Sequence, residues 1–332
     1  MLQALEQVIL NNIHSKSSYV KNYLGLLSNG TTMNLISIND LTKQDILHLF
    51  SRADYFRSVK SKSAKIDTSK LAGLLFFDPS TRTRVGFETA TWKLGYKSIV
   101  LDETKPSISK GWSESMSDTI RTMNAYVDMY FIRHSDPKIF EQVLAYTSNP
   151  VINCGNGYDE HPTQALIDAY AIWIKFGQLG ELTITLIGEN RYSRAAHSLV
   201  RLLAKFKNVK LQEITPKELT LPGEYIQGSE LNQPTRITKS GLGKEHVLYS
   251  TGFPPINPSG TFSQDIVRKY IVTQEDAERL QQDCIILNPL PRIDEIDVAV
   301  DNLPQAHYFT QNELGLYMRM AIVEAYFTSK MK

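Results

Sequence analysis

Phe76-Phe77-Asp78-Pro79-Ser80-Thr81-Arg82-Thr83-Arg84 marks the point where one periodicity gives way to another. Ahead of it, residues 71–77 are almost continuously apolar, as in a strand buried on both faces. Behind it, residues 81–94 read as a helix. A strand that runs through a turn straight into a helix is the building unit of an α/β domain. The helix opens with hydroxyl and guanidinium groups. Its free backbone N–H groups and the positive end of its dipole face whatever lies at that mouth. Ser80, Thr81 and Thr83 add hydroxyl donors, and Arg82 adds a planar fork suited to phosphate. Arg82 and Arg84 oppose the dipole, a cost that a bound anion would relieve. The alternative is an ordinary Ser80 N-cap beside solvated arginines.

Working outward, the alternation continues. Strands are expected at residues 98–101, 127–132 and 151–153, and helices at 115–125, 137–144 and 162–176. It then restarts, with strands at 182–187, 209–211, 247–250 and 285–287, and helices at 193–206, 274–280 and 312–328. This is the pattern of two doubly wound α/β domains with mostly parallel sheets, dividing in or near the 162–176 helix. Ahead of them lie a helix started by Asp40 or Thr42 and an amphipathic extension over residues 1–30. Residues 212–245 are polar and carry no clear period.

Composition narrows the function classes. With 36 basic and 35 acidic residues the net charge is +1, which gives no argument for a nucleic-acid or membrane partner. The start of the chain lacks the pattern of a signal peptide, and no apolar run reaches membrane-span length, so a cytoplasmic location is expected. Cys154 and Cys284 lack metal-ligand spacing and read as buried free thiols.

Open α/β sheets bind ligands beyond the carboxyl ends of their strands. The strand containing Tyr130-Phe131-Ile132 leads into Arg133-His134. The next leads through the glycine-rich Asn153-Cys154-Gly155-Asn156-Gly157 to His161-Pro162-Thr163-Gln164, where Pro162 suits the first helical position. Three strands of one domain therefore bring residues 80–84, Arg133, and His161 with Gln164 to one edge.

These segments, together with Phe87-Glu88, Asp118-Thr119 and Asn288-Pro289-Leu290-Pro291-Arg292, resemble the aspartate/ornithine carbamoyltransferase family in order and spacing. The resemblance implies a carbamoyl-phosphate domain over residues 31–165, with 310–332 packing back on it, and an acceptor domain over 166–309. It assigns Ser80, Thr81, Arg82 and Thr83 to the phosphate, and Arg133, His161 and Gln164 to the carbamoyl oxygen and amide. Backbone carbonyls of Pro289 and Leu290 would accept from the carbamoyl amine. His161 has a second reading as a cap on its own helix, and Arg84 and Arg292 read as members of structural ion pairs. Polarising the carbamoyl oxygen with Arg82, Arg133, Thr83 and His161 is the main catalytic task implied. No nucleophile–base pair, cofactor or metal cluster is indicated.

The acceptor half matches less well. Arg194 stands where aspartate-type enzymes hold the acceptor's α-carboxylate, unless it is merely a solvated arginine at a helix start. The arginine-bearing segment that grips aspartate's side chain in such enzymes is replaced by Thr251-Gly252-Phe253-Pro254-Pro255. Gly252, Phe253 and Leu290 thus join Arg194 as acceptor-binding candidates. Ornithine-type hallmarks are absent too. The expected acceptor is therefore an amino-acid-like amine other than aspartate or ornithine. The alternatives are a genuine aspartate carbamoyltransferase, with Lys110, Arg191 or Lys244 replacing the clamp, and a family member that binds without turnover. The family's loop that reaches a neighbouring site maps to residues 104–113, with Ser107 and either Lys110 or Trp112 as its contributors and a homotrimer implied.

Overall fold

The computed structural model describes residues 34–59, 69–102, 114–253, 258, 260 and 262–328. The expected N-terminal extension and the loop carrying Ser107, Lys110 and Trp112 lie outside them.

The first sheet is entirely parallel. Strand β1 (Leu71–Phe76) is buried from Ala72 to Phe76, which its apolar run demands. It lies between β2 (Lys97–Asp102) and β3 (Met129–His134), and β3 pairs with β4 (Val151–Asn156), giving the order β2-β1-β3-β4. Parallel neighbours need crossovers, supplied by α2 (Thr81–Lys93), α3 (Met116–Met123) and α4 (Ile139–Leu144). Leu35 extends the sheet beyond β4: its N–H donates to the Val151 carbonyl at 2.9 Å and its carbonyl accepts from Asn153 at 2.8 Å. Ahead of β1, helix α1 (Lys43–Ser58) starts at a reciprocal cap between Thr42 and Asp45.

Helix α5 (Pro162–Phe176) leads into the second unit. Pro162 occupies its first turn, and Gly177 closes it in the left-handed conformation (φ 70°). The second sheet is also parallel, in the order β7-β6-β5-β8-β9. Its strands are β5 (Thr183–Gly188), β6 (Lys210–Ile214), β7 (Thr235–Arg236), β8 (Val247–Gly252) and β9 (Ile285–Leu287). Helix α6 (Arg194–Leu203) follows β5, and α7 (Gln264–Arg268) and α8 (Gln274–Arg279) follow β8. In each sheet the chain first moves outward and then turns back. The reversal falls between β1 and β3 in one sheet and between β5 and β8 in the other. Such switch points leave a crevice at the carboxyl ends of the strands.

The closing helix α9 (Tyr308–Thr328) packs on α1, α2 and α5. It belongs to a continuous core that takes in Leu74 and Phe131 of the first sheet, Tyr170 of α5, Leu186 and Tyr249 of the second sheet, and Met318 of α9.

Most expected elements form, with shifted ends. β4 continues past the expected end at 153 to Asn156, where His134 of β3 still supplies a partner. α9 starts at Tyr308, four residues before the expected 312. The segment Tyr308-Phe309-Thr310 has weak intrinsic helix preference, but the Tyr308 ring is fully buried and its hydroxyl pairs with Asp301. Burial outweighs propensity there. Helix α7 and the two-residue β7 lacked a readable period.

Phe50 of α1 is 1% exposed, with its ring 5.6 Å from Tyr170 and 5.8 Å from Trp173 of α5. Phe50→Ala should destabilise the fold by about 3–5 kcal/mol. Chemical denaturation measures this, and a loss below about 1 kcal/mol would show that the α1–α5 contact contributes little.

Candidate active site

The carboxyl ends of both sheets face one cleft of about 1000 Å³. On the first sheet's side β1 delivers the mouth of α2. Ser80 takes the N-cap position there, but its side chain caps no backbone N–H. The alternative of an ordinary cap therefore fails, and the first turn, with its N–H groups not capped by Ser80, lies on the cleft wall. Ser80, Thr81, Arg82 and Thr83 all line it. Burial holds the Arg82 guanidinium below its usual range. Arg84 is not among the lining residues.

Arg133, next to last in β3, donates from Nη1 to the Cys154 carbonyl at 3.3 Å. Its Nε lies 3.8 Å from Asp78 and makes no hydrogen bond. Burial lowers its pKa, Asp78 opposes that shift, and Arg82 adds to it. Both cysteines are buried free thiols.

Arg194, the first residue of α6, reaches across from the second sheet and donates from Nη1 to the Gly157 carbonyl at 2.8 Å. It is not a freely solvated arginine: burial, with the Arg133 charge next, pushes its pKa down to about 9. Between the two arginines sits Gly155 (φ 112°), where a Cβ atom would lie 3.1 Å from Arg133 and 3.3 Å from Arg194. Glycine alone satisfies both the backbone angle and the space.

His161 holds the N-cap position of α5, yet its ring caps nothing, which removes that reading. Nδ1 lies 3.2 Å from the Thr163 hydroxyl and Nε2 3.5 Å from the Thr83 hydroxyl. Burial and the charges of Arg133, Arg194 and Arg319 hold the imidazole well below its ordinary pKa, so it is neutral at physiological pH. Gln164 donates from Nε2 to Asp168 at 2.7 Å.

The second sheet supplies the rest. Gly252 and Phe253, at the end of β8, line the cleft with Pro289 and Leu290. Leu290 has a left-handed backbone (φ 47°) and donates its N–H to the Asn288 side chain at 2.7 Å. Asn288 is held in turn by the Ser250 carbonyl at 3.1 Å and Glu295 at 3.0 Å. Arg292 pairs with Asp301 and Tyr308, as a structural ion pair should. Lys244 precedes the amino end of β8, whereas the cleft opens at that strand's carboxyl end. A six-residue strand spans about 20 Å, so Lys244 cannot serve the acceptor pocket, and that expectation is corrected. Arg191 lies on the correct edge, beside Tyr192, with its guanidinium toward the Glu218 carbonyl.

Some lining groups escaped the sequence reading. Arg319 of α9 is 5% exposed, and burial pushes its pKa down to about 10. A slot between helices receives it: a Cβ on Gly86 or Gly315 would come within 2.8 or 2.9 Å of its guanidinium. Gly315 lies one helical turn before Arg319, the only sequence signal available. Glu189 is buried with Oε2 unpartnered, and burial raises its pKa to about 7. Asp168, which does not line the cleft but bonds Gln164 from behind it, was missed as well.

Four guanidinium groups thus share one cleft with a neutral imidazole. Two family models match the chain: the carbamoyl-P binding domain of aspartate/ornithine carbamoyltransferase over residues 33–173, and the Asp/Orn binding domain over residues 180–326. The chain belongs to the aspartate/ornithine carbamoyltransferase family. It is a carbamoyltransferase. The aspartate carbamoyltransferase catalytic subunit of Picrophilus torridus is 36% identical over 87% of this chain and 96% of its own. That of Archaeoglobus fulgidus is 37% identical over 87% and 97%. The solved catalytic subunit of M. jannaschii aspartate transcarbamoylase superposes with a TM-score of 0.81 at 33% identity, over 90% of this chain and 99% of that one. A Trypanosoma cruzi aspartate transcarbamoylase in complex with carbamoyl phosphate and aspartate gives 0.78 at 29% identity, over 88% and 96%. Among the described residues no group of histidine, cysteine or carboxylate side chains has the arrangement of a metal site, and no helix is long and apolar enough to cross a membrane.

Arg82→Ala should weaken carbamoyl phosphate binding by about 2–5 kcal/mol, roughly 30-fold or more, through loss of a charge-assisted contact to a buried partner. Calorimetry showing unchanged affinity would remove Arg82 from the site.

Proposed function

We propose that this carbamoyltransferase acts on aspartate, with carbamoyl phosphate bound across the cleft. The phosphate rests on Ser80, Thr81, Arg82 and Thr83. The carbamoyl oxygen faces Arg133, Thr83 and His161, and the carbamoyl amide lies between Gln164 and the carbonyls of Pro289 and Leu290. The aspartate α-carboxylate binds Arg194. Its neutral amine attacks the polarised carbon, a C–N bond forms, and the C–O bond to phosphate breaks. The leaving phosphate takes the amine proton, giving N-carbamoyl aspartate and phosphate. The observation that carries this reading is the meeting of Arg133 from β3 and Arg194 from α6 on the end of β4 around Gly155. In this reading residues 31–165, with 310–332, form the carbamoyl-phosphate domain, and residues 166–309 form the acceptor domain.

Aspartate is preferred over the non-standard acceptor expected from the sequence because the relatives above are aspartate carbamoyltransferases over nearly their whole length. One observation favours the second reading. Among the described lining residues from Glu189 to Asn312, Arg194 is the only cation, and it stands against Glu189 and Glu295. An unpaired side-chain carboxylate there costs several kcal/mol. Aspartate therefore requires Lys110 or Arg191 to replace the missing clamp. The measurement is kcat/KM for aspartate against neutral and short diamino analogues. Aspartate ahead by a hundredfold or more, about 2.7 kcal/mol, is the expected result. A neutral or diamino acid ahead would establish the second reading.

The chain acts as a homotrimer whose 104–113 loops, through Ser107 and Lys110 or Trp112, complete neighbouring sites. The polar character of that loop and the family resemblance support this. Mixing Arg82→Ala with a loop-deleted variant should then restore part of the activity, whereas a monomer in light scattering would refute it.

A further inference from the structure

Behind the cleft, where α5, β8 and α9 meet, lies a carboxylate that no step above uses. Asp168 is fully buried. Its Oδ1 accepts from Gln164 Nε2 at 2.7 Å and from Gln311 Nε2 at 2.5 Å, and its Oδ2 accepts from the Tyr249 hydroxyl at 2.7 Å. An ionised carboxylate only accepts hydrogen bonds. Each glutamine must therefore turn its NH₂ toward Asp168 and its carbonyl oxygen away.

That constraint matters because an amide side chain can present either end. Gln164 lines the cleft, so its acceptor end is the one left to face a ligand. For Gln311 the consequence is visible: its Oε1 accepts from the Asn288 N–H at 3.0 Å, at the base of the turn that carries Pro289 and Leu290. One carboxylate thus sets the polarity of two amides, one facing the ligand directly and one bracing the turn opposite. Burial raises the Asp168 pKa to about 6, with the three donors opposing, so the group is ionised at neutral pH.

We propose that Asp168 is a positioning residue that makes the site select an N–H-bearing acyl phosphate, by locking Gln164 with its carbonyl oxygen toward the carbamoyl NH₂. This rests on the carbamoyl phosphate reading above. A site built to hydrogen-bond a substrate N–H rejects the analogue that lacks it. Acetyl phosphate is that analogue, with a methyl group in place of NH₂. Asp168→Asn offers one acceptor oxygen to three donors and adds a donor of its own, which frees Gln164 to turn round.

The test is calorimetric affinity for carbamoyl, acetyl and inorganic phosphate in wild type, Asp168→Asn, Gln164→Ala and the Gln164→Ala/Asp168→Asn pair. The wild-type preference for carbamoyl over acetyl phosphate should fall about tenfold in Asp168→Asn, while inorganic phosphate affinity stays within about threefold. In the Gln164→Ala background, Asp168→Asn should change the preference by less than about twofold, because the two residues act as one. If Asp168→Asn does not fold, Asp168→Asn/Tyr249→Phe removes the third donor and carries the same comparison. An unchanged preference, or full additivity in the Gln164→Ala background, would overturn the proposal. Wild-type protein that binds no carbamoyl phosphate would overturn the underlying reading instead.

Discussion

Two like charges held against one strand end organise this molecule. Arg133 comes from β3 and Arg194 from the start of α6 in the second half, and they donate to the carbonyls of Cys154 in β4 and of Gly157 just past it. Burial deprives both of water and lowers both pKa values; the Arg82 charge adds to the shift at Arg133, and the Arg133 charge adds to it at Arg194. Gly155 permits the approach and backbone carbonyls offset part of its cost. The nearest fixed anion, Asp78, is 3.8 Å from Arg133 Nε, too far for a hydrogen bond. A cleft in this state is unbalanced toward positive charge, and an anionic ligand corrects the imbalance.

The fold makes that arrangement possible through its strand order. Each sheet reverses direction once, and each reversal opens a crevice at the carboxyl ends. α5 and α9 press the two sheets together around a common core, so the crevices face each other across one space. Asp168, Tyr249 and Gln311 sit at this junction and link Gln164 of the cleft wall to the second sheet and the closing helix. Residues that line the cleft and residues that join the two halves are here in direct contact.

Local chemistry decided what could be read from the sequence. The run from Phe76 to Arg84 announces both a strand end and a candidate anion site, since apolar continuity and a first turn of hydroxyls and guanidiniums are sequence-local properties. His161-Pro162 marks a helix start for the same reason, and α5 begins at Pro162 as expected. Arg319 is different. Its identity as a site residue depends on α9 crossing α2 with Gly86 and Gly315 aligned, a fact of tertiary packing. Asp168 reads as an ordinary helical aspartate until Tyr249 and Gln311, 81 and 143 residues away, are placed beside it. Lys244 looked useful only because sequence distance from Gly252 hides which end of a strand a residue occupies.

The central claim is that this cluster of cations is a carbamoyl phosphate site, and a crystal structure of the protein with carbamoyl phosphate tests it most directly. The account predicts phosphate oxygens on the N–H and hydroxyl groups of Ser80, Thr81 and Thr83 with Arg82 alongside, and the carbamoyl oxygen between Arg133 and His161. Phosphate seated on Arg194, or carbamoyl phosphate absent from the cleft at saturating concentration, would contradict it.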